Sequence, residues 1–203
     1  MGTRKRLGDV WATVGIITHR PSEIRYVRRL ARTIGRPPLA TRLPWLCFSL
    51  VDFIRSNIGP GSTVFEFGGG GSTAWFADIG ASVITVEHDS TWALQLNEAL
   101  EKEASVTLLV KSAADDYREY VDAVRAYPDQ SFDLVVVDGR QRVRCVAAAI
   151  PKVRPGGLLL LDDSERAKYA EVHDLLASWP SQVFVGLCPG KRTPGHSTVW
   201  RRP

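Results

Sequence analysis

A run of four glycines that follows an acidic residue is the strongest chemical feature of this 203-residue sequence. The apolar run at residues 63–67 includes Glu66, and residues 68–71 are all glycine, followed by Ser72 and Thr73. Glycine lets the backbone approach a ligand closely, and a helix that begins there offers backbone N–H groups to polar ligand atoms. The segment therefore predicts a ligand-binding turn, and a tight bend with a purely structural role is the alternative.

A carboxylate ends the next apolar run. Glu87 lies nineteen residues after Gly68, where a carboxylate can accept hydrogen bonds from both hydroxyls of a ribose. An NAD-dependent enzyme places a carboxylate similarly. However, the dinucleotide pattern Gly-x-Gly-x-x-Gly that would start at Gly68 has Thr73 in place of its third glycine. His88, which follows, either stacks near a bound ligand or is a structural histidine.

Aspartates end two later apolar runs: Asp138 ends the fourth, and Asp162 with Asp163 ends the fifth. These carboxylates either cap helices and solvate loops or lie close together, because neighbouring parallel strands are about 4.8 Å apart. His196 stands between the last two runs. Its imidazole can take up a proton near neutral pH, or it merely closes a turn.

From residue 62 onward, short apolar runs alternate with helical stretches, which is typical of repeated βαβ units. Runs that are almost continuously apolar indicate parallel strands buried on both faces. The last two runs are joined by a turn-rich segment that is unsuited to a helical crossover, so they predict an antiparallel hairpin. The predicted fold is α/β, a doubly wound, mostly parallel seven-stranded sheet with N-terminal helices. The predicted strands are Thr63–Phe67, Val83–Val86, Val106–Val110, Phe132–Val137, Leu158–Leu161, Gln182–Leu187 and Ser197–Trp200.

Residues 1–60 predict a basic helical extension that acts as a lid, and residues 61–203 predict the ligand-binding domain. Residues 1–42 contain ten Lys or Arg and only two acidic residues, although the whole chain has a net charge of +4. This balance suits an acidic partner or a solvated helix face.

We expect a first helix capped by Ser22 and ended by Gly35, and a second helix from Pro44 to Ile58. The predicted buried stripe of the first helix is Ile24, Val27, Leu30 with Ala31, and Ile34.

Composition restricts the class of protein. No stretch approaches the roughly 20 apolar residues of a membrane span, and the N-terminus has no long apolar segment typical of a signal peptide. The three cysteines are far apart and form no Cys-x-x-Cys, which argues against a disulfide framework or a zinc site. We therefore expect a cytoplasmic protein with reduced thiols.

Over roughly residues 60–203, the sequence resembles class I S-adenosylmethionine-dependent methyltransferases. The resemblance rests on the spacing of Glu66, Gly68 and Gly70, on Glu87 and on the final hairpin. It implies S-adenosylmethionine as cofactor. The cofactor-binding residues that it implies are Glu66, Gly68, Gly70, Ser72, Glu87, His88, Ser112, Ala113 and Asp138.

Within this group, the chain is most similar to the metal-dependent O-methyltransferases of the catechol and macrocin type. This similarity implies a magnesium ion held by Asp138, Asp162 and Asp163. Such an ion would stabilise the alkoxide of a hydroxyl acceptor. The predicted catalytic residues are Asp138 and His196.

The predicted reaction is O-methylation of a hydroxyl on a sugar or a natural-product small molecule. Basic residues at the same edge of the sheet suit an anionic acceptor or are ordinary surface charge; they are Arg140, Arg142, Arg166, Lys168, Lys191 and Arg192. An RNA methyltransferase is an alternative favoured by the basic N-terminus, although an Asn-Pro-Pro-Tyr motif for base N-methylation is lacking. An NAD-dependent dehydrogenase and a non-catalytic binding module are further alternatives, and a homodimer stays open.

Overall fold

Seven strands of the described chain form one sheet. They are β1 Thr63–Phe67, β2 Ser82–Glu87, β3 Val106–Val110, β4 Phe132–Val137, β5 Val153–Asp162, β6 Ser181–Gly186 and β7 Gly195–Arg201. Their order is β3-β2-β1-β4-β5-β7-β6; β1 to β5 run parallel, and β7 pairs antiparallel with β5 and β6. The predicted doubly wound α/β sheet with a C-terminal antiparallel hairpin is confirmed. The structure is a computed structural model that describes residues 14–191 and 193–203, so Arg192 and the basic residues before position 14 lie outside it.

Helices flank the sheet. They are α1 Val27–Ala31, α2 Pro38–Thr41, α3 Phe48–Asn57, α4 Gly71–Asp78, α5 Ser90–Leu100, α6 Ala114–Asp122, α7 Arg142–Ala149 and α8 Ala170–Leu175. A 3₁₀ turn at Pro21–Tyr26 leads into α1. None of the described helices is long and apolar enough to cross a membrane. The predicted second helix begins later than expected, at Phe48 instead of Pro44, and β5 begins earlier, at Val153 instead of Leu158.

Each face of the sheet has its own apolar layer, because successive strand residues point to opposite faces. Phe65 and Val135 belong to one layer, and Val64 and Leu134 belong to the other. The second layer includes the fully buried Leu50 and Ile54 of α3. A helix from the first 60 residues is therefore part of the packing on this face of the sheet.

The segment that leads into α1 buries a different stripe from the predicted one. Glu23, Tyr26 and Leu30 are buried, whereas Ile24 and Ile34 are 66% and 52% exposed. The predicted stripe is therefore wrong at Ile24 and Ile34. The segment begins as a 3₁₀ turn, whose three residues per turn rotate its faces relative to an α-helix.

The predicted cap at Ser22 is also wrong. The 3₁₀ turn begins at Pro21 after Arg20, and no side chain caps it. Proline at this position is favourable, because its missing N–H needs no partner at a helix start.

Glu23 fixes the orientation of this segment. Its Oε2 accepts a hydrogen bond from the backbone N of Leu187 at 2.7 Å, and Glu23 is 4% exposed. Gly186 leaves room for the carboxylate, because a Cβ at that position would overlap it. Beside this contact, the ring of Tyr26 stacks on Phe48, with centroids 5.6 Å apart. The N-terminal segment is thereby attached to the end of β6.

A second contact attaches the loop after α2 to α4. The guanidinium of Arg42 donates to Asp78 at 2.8 and 2.6 Å and to Glu103 at 2.6 Å. These side chains are partly exposed, so each ion pair contributes little alone. Their effect is to fix the position of the loop against the end of α4 and the segment that follows α5.

Replacing Glu23 by Ala should destabilise the fold, because it leaves the buried N–H of Leu187 without an acceptor. We expect a loss of about 1–3 kcal/mol in the free energy of unfolding, measured by urea denaturation. Glu23→Gln keeps an acceptor oxygen and should lose less. Glu98→Ala, at an exposed position of α5, is the control, and an equal effect of Glu23→Ala and Glu98→Ala would contradict this role.

Candidate functional site

The strand order reverses between β1 and β4, because β2 and β3 extend the sheet on one side and β5 to β7 on the other. Ligands of open α/β sheets bind outside the carboxyl ends of the strands at such a reversal. Here the turns after β1 and β4 touch: a Cβ on Gly68, whose φ is +93°, would lie 2.9 Å from Cα of Gly139. Glycine at position 68 therefore satisfies both the backbone conformation and the close approach.

A cleft of about 640 Å³ opens at this reversal. Its walls come from the turn after β1, the ends of β2 and β4, and the N-terminal segment. The lining residues are Pro37, Pro38, Trp45, Gly68, Gly69, Gly70, Gly71, Ser72, Glu87, His88, Asp89, Trp92, Asp138, Gly139, Arg140 and Arg142. Six of the residues predicted to bind cofactor are therefore brought together: Gly68, Gly70, Ser72, Glu87, His88 and Asp138.

Glu66 lies beneath the glycine turn and is fully buried. Its carboxylate accepts hydrogen bonds from the hydroxyls of Ser72 and Thr73, the latter at 2.5 Å. The Thr73 hydroxyl in turn accepts from the backbone N of Gly70 at 2.9 Å. Burial raises the pKa of Glu66 to about 7, although the hydroxyl hydrogen bonds oppose the rise. Glu66 thus holds the glycine turn from below and does not line the cleft.

Glu87 faces the cleft from the end of β2. Its Oε1 accepts from the backbone N of His88 at 2.7 Å and of Asp89 at 2.9 Å, and Glu87 is 5% exposed. Within the described residues, Oε2 of Glu87 accepts no hydrogen bond. The backbone therefore orients the carboxylate and leaves one oxygen for hydroxyls of a ligand.

Aromatic side chains surround this carboxylate. Nε1 of Trp92 donates to the carbonyl of Gly69 at 2.8 Å, which links α5 to the glycine turn. The ring of His88 lies 5.2 Å from that of Tyr117 and 5.8 Å from that of Tyr120. Nδ1 of His88 is buried and has no hydrogen-bond partner among the described residues; its 2.8 Å separation from Glu87 lacks hydrogen-bond geometry. These rings offer an apolar surface beside Glu87.

Like Glu66, the predicted residues Ser112, Ala113 and His196 lie away from the cleft lining. Ser112 and Ala113 are exposed, and the hydroxyl of Ser112 accepts from the backbone N of Ala114 at 2.9 Å. His196 lies within β7, with Nδ1 3.2 Å from the hydroxyl of Ser164 and 3.4 Å from a carboxylate oxygen of Glu165. These contacts hold the imidazole on the far side of β5.

The ends of β4 and β5 bring Asp138, Asp162 and Asp163 to one edge, but a guanidinium lies among them. Arg142, 8% exposed, donates to Oδ1 of Asp138 at 2.9 Å and to the carbonyl of Asp162, and it lies 3.4 Å from Oδ2 of Asp163. Burial and the adjacent Asp162 carboxylate raise the pKa of Asp138 well above its usual range, although Arg142 opposes the rise.

This arrangement does not fit the expected magnesium ion. Among the described residues, no group of three or more His, Cys, Asp or Glu side chains is placed to hold a metal. The physical reason is that Arg142 directs its N–H groups at the oxygens that a cation would need. The expectation that Asp138, Asp162 and Asp163 converge on one cation is therefore not met.

Most of the predicted basic residues have partners. Arg166 lies 2.8 Å from Asp163, Lys191 lies 3.7 Å from Asp162, and the ammonium of Lys168 lies 4.9 Å from the ring centre of Tyr169. Arg140 and Arg142 line the cleft. Aspartates therefore balance much of the positive charge expected at this edge, through Arg142, Arg166 and Lys191.

Sequence reasoning missed four cleft residues outside the recognised motifs: Pro37, Pro38, Trp45 and Trp92. The N-terminal segment lies directly against the glycine turn, because a Cβ on Gly71 would overlap the carbonyl of Leu43. No local pattern places Pro37, Pro38 or Trp45 against a turn so much later in the chain. Trp92 had one signal, its position on the helix directly after Glu87.

A family model described as a methyltransferase domain matches residues 65–164, just under half of the chain. This segment covers the glycine turn, Glu87, Asp138 and both aspartates at the end of β5. A comparison with curated proteins gave no match.

Several solved structures are similar. A methyltransferase-like protein from Silicibacter pomeroyi is 23% identical, with a TM-score of 0.57 over 83% of this chain and 90% of that one. An rRNA methylase from Streptococcus thermophilus is 12% identical, with a TM-score of 0.58 over 76% and 94%. An O-methyltransferase from Thermotoga maritima is 14% identical, with a TM-score of 0.55 over 76% and 65%. The chain has the Rossmann-like fold of methyltransferases.

Replacing Glu66 by Gln should change how stability depends on pH. The folded pKa of about 7 lies above the ordinary 4.5, so the wild-type chain loses stability as the pH rises through this interval. The glutamine variant stays neutral and should gain about 2–3 kcal/mol relative to wild type between pH 5 and pH 8. Urea denaturation across this range measures the difference, with Glu98→Gln as control. A pH-independent difference would show that Glu66 does not titrate in this interval.

Proposed function

We propose that this chain is an S-adenosylmethionine-dependent methyltransferase that methylates a hydroxyl oxygen of a small molecule. The observation that carries the proposal is the cleft at the reversal between β1 and β4, where the glycine turn faces the oriented carboxylate of Glu87. The family match and the similar structures support methyl transfer as the chemistry. The hydroxyl acceptor is our more specific step, based on the position of Asp138.

The cleft residues fit the cofactor. The turn at residues 68–71 lines the cleft with glycines only, so it presents backbone and no side chain to a ligand. Glu87 offers a carboxylate oxygen to ribose hydroxyls, and the rings of His88 and Trp92 offer faces on which a purine can stack. These residues match the polar and apolar parts of an adenosine.

The proposed division of labour follows from these positions. When bound, S-adenosylmethionine supplies an electrophilic methyl group: the acceptor oxygen bonds to the methyl carbon as the carbon–sulfur bond breaks and its electron pair stays on sulfur. Asp138 takes the acceptor proton, because its carboxylate lines the cleft while Arg142 holds it by Oδ1. A fixed carboxylate removes the need to orient the base during each turnover.

The mouth of the cleft suggests the acceptor class. Trp45 is 47% exposed and lines the cleft, and the exposed Arg140 lines it as well. A half-exposed indole favours a flat apolar face such as that of a sugar or an aromatic ring. The guanidinium of Arg140 favours a carboxylate or phosphate on the same molecule. We therefore propose a hydroxylated sugar or natural product with one anionic group. The cytoplasmic location and the homodimer stay predictions from the sequence.

An RNA acceptor is the second candidate. The observation that favours it is the set of exposed arginines on the N-terminal segment, which includes Arg25, Arg28 and Arg32. Such a surface can track phosphates, and its binding to RNA would weaken steeply with salt. The two candidates differ in where the acceptor lies: within the cleft mouth or along this segment.

Replacing Glu87 by Ala should weaken cofactor binding. Loss of a buried charged acceptor should raise the Kd for S-adenosylhomocysteine about ten- to a hundredfold, as measured by calorimetry. Glu98→Ala should leave the Kd unchanged. Unaltered affinity in a folded Glu87→Ala variant, or displacement of S-adenosylhomocysteine by NAD, would contradict the assignment.

An acceptor panel tests the reaction. With radiolabelled S-adenosylmethionine, we expect methyl transfer to hydroxylated sugars or aromatics that carry a carboxylate or phosphate. The KM for such an acceptor should rise with ionic strength, because salt screens exposed charges within about 8 Å under physiological conditions. Asp138→Asn should abolish transfer while S-adenosylhomocysteine still binds. Labelling of RNA alone would favour the second candidate. Transfer to neutral acceptors with no effect of salt would contradict the role of Arg140.

A further inference from the structure

We propose that the guanidinium of Arg142 permanently occupies the position of a cation at the ends of β4 and β5, which we call the aspartate edge because Asp138, Asp162 and Asp163 lie there. This chain would then position Asp138 for catalysis without a divalent metal. The inference rests on the proposed function for the role of Asp138, but its structural part concerns only the chain's own side chains. It replaces the magnesium ion that the resemblance implies with a permanent guanidinium.

The guanidinium of Arg142 connects the ends of two strands. On the β4 side, it donates to Oδ1 of Asp138 at 2.9 Å, to the Asp138 carbonyl at 3.0 Å and to the Gly139 carbonyl at 3.1 Å. On the β5 side, it donates to the carbonyl of Asp162 and lies 3.4 Å from Oδ2 of Asp163. A planar group with five N–H donors suits this arrangement, since each oxygen lies along a fixed direction.

Packing holds the guanidinium in place. Arg142 is the first residue of α7 and is 8% exposed, and its guanidinium carbon lies 5.4 Å from the ring centre of Tyr169. An aromatic face stabilises a cation that water does not reach. Removing the guanidinium would leave its acceptors unpaired, which is costly inside a protein.

The remaining charges at this edge are balanced as well. Lys191 lies 3.7 Å from Oδ2 of Asp162, whose Oδ1 accepts from the Ser197 hydroxyl at 2.7 Å. Arg166 lies 2.8 Å from Oδ2 of Asp163. Each of the three carboxylates therefore has a cationic partner. A divalent ion among these carboxylates would lie next to the positive charges of Arg142 and Lys191. Repulsion between neighbouring positive charges is large in a low-dielectric site.

Asp138 gains a fixed orientation from this arrangement. Its carboxylate is bound by Arg142 through one oxygen, and its side chain keeps 33% of its surface exposed at the cleft. Arg142 is thus a positioning residue: it holds the carboxylate that takes the acceptor proton, and it replaces the charge that a metal would bring.

Manganese binding tests the proposal, with electron paramagnetic resonance and calorimetry on the full chain. The wild-type protein should show no saturable Mn²⁺ binding, and millimolar Mg²⁺ should leave its Tm unchanged. Arg142→Gln removes the cation but keeps a polar side chain. It should bind one Mn²⁺ per chain, with an affinity at least tenfold above any that wild type shows, and its Tm should rise with the Mn²⁺ concentration. Arg142→Lys restores a positive charge and should bind no Mn²⁺, which a purely structural role would not predict.

Two results would overturn the proposal: saturable binding of one Mn²⁺ by wild type that is lost in Asp138→Asn, or no binding by a folded Arg142→Gln. If Arg142→Gln does not fold, the wild-type titration decides the proposal: no saturable Mn²⁺ binding supports it, and saturable binding that is lost in Asp138→Asn overturns it. S-adenosylhomocysteine calorimetry on wild type separates the two proposals. Failure to bind it would refute the methyltransferase function but would leave the manganese results to decide the cation.

Discussion

The contact between the turns that follow β1 and β4 is the constraint on which the site depends. Gly68 and Gly139 approach so closely that a Cβ on either would meet backbone of the other turn. Because these turns need no space for side chains, β1 and β4 stay paired to their ends while the helices after them lie apart. The cleft opens there, with Glu87 on one wall and Asp138 on the other.

Two carboxylates, those of Glu66 and Glu87, shape this site in different ways. Glu66 is fully buried and is bound by hydroxyls from the start of α4, so it fixes the shape of the glycine turn from inside. Glu87 is held by backbone N–H groups and keeps one oxygen toward the cleft. Glu66 therefore positions the glycine turn, whereas Glu87 is placed to contact a ligand in the cleft directly. Their spacing in the sequence gives no hint of this difference.

The N-terminal segment contributes both to the core and to the cleft. Helix α3 packs on one face of the sheet, and Trp45, just before it, reaches the mouth of the cleft. Glu23 and Arg42 attach this segment at two separate places, the end of β6 and the end of α4. The same residues that complete the fold therefore define the space left for an acceptor, while Arg142 balances the charge at its base.

The sequence by itself determined the strands and the main binding turn. β1, β3 and β4 lie at their predicted residues. For β1 and β4 the reason is that parallel strands buried on both faces are almost continuously apolar, whereas β3 is an apolar strand at the partly exposed edge of the sheet. The glycine turn and Glu87 follow directly from those strands. Only the tertiary structure decided the charge partners and the cleft walls. Glu23 meets Leu187 across 164 positions, and Arg142 reaches Asp163 only because β4 and β5 are aligned. Hydrophobic periodicity records which residues are buried, but it does not record which side chains meet when distant strands pair.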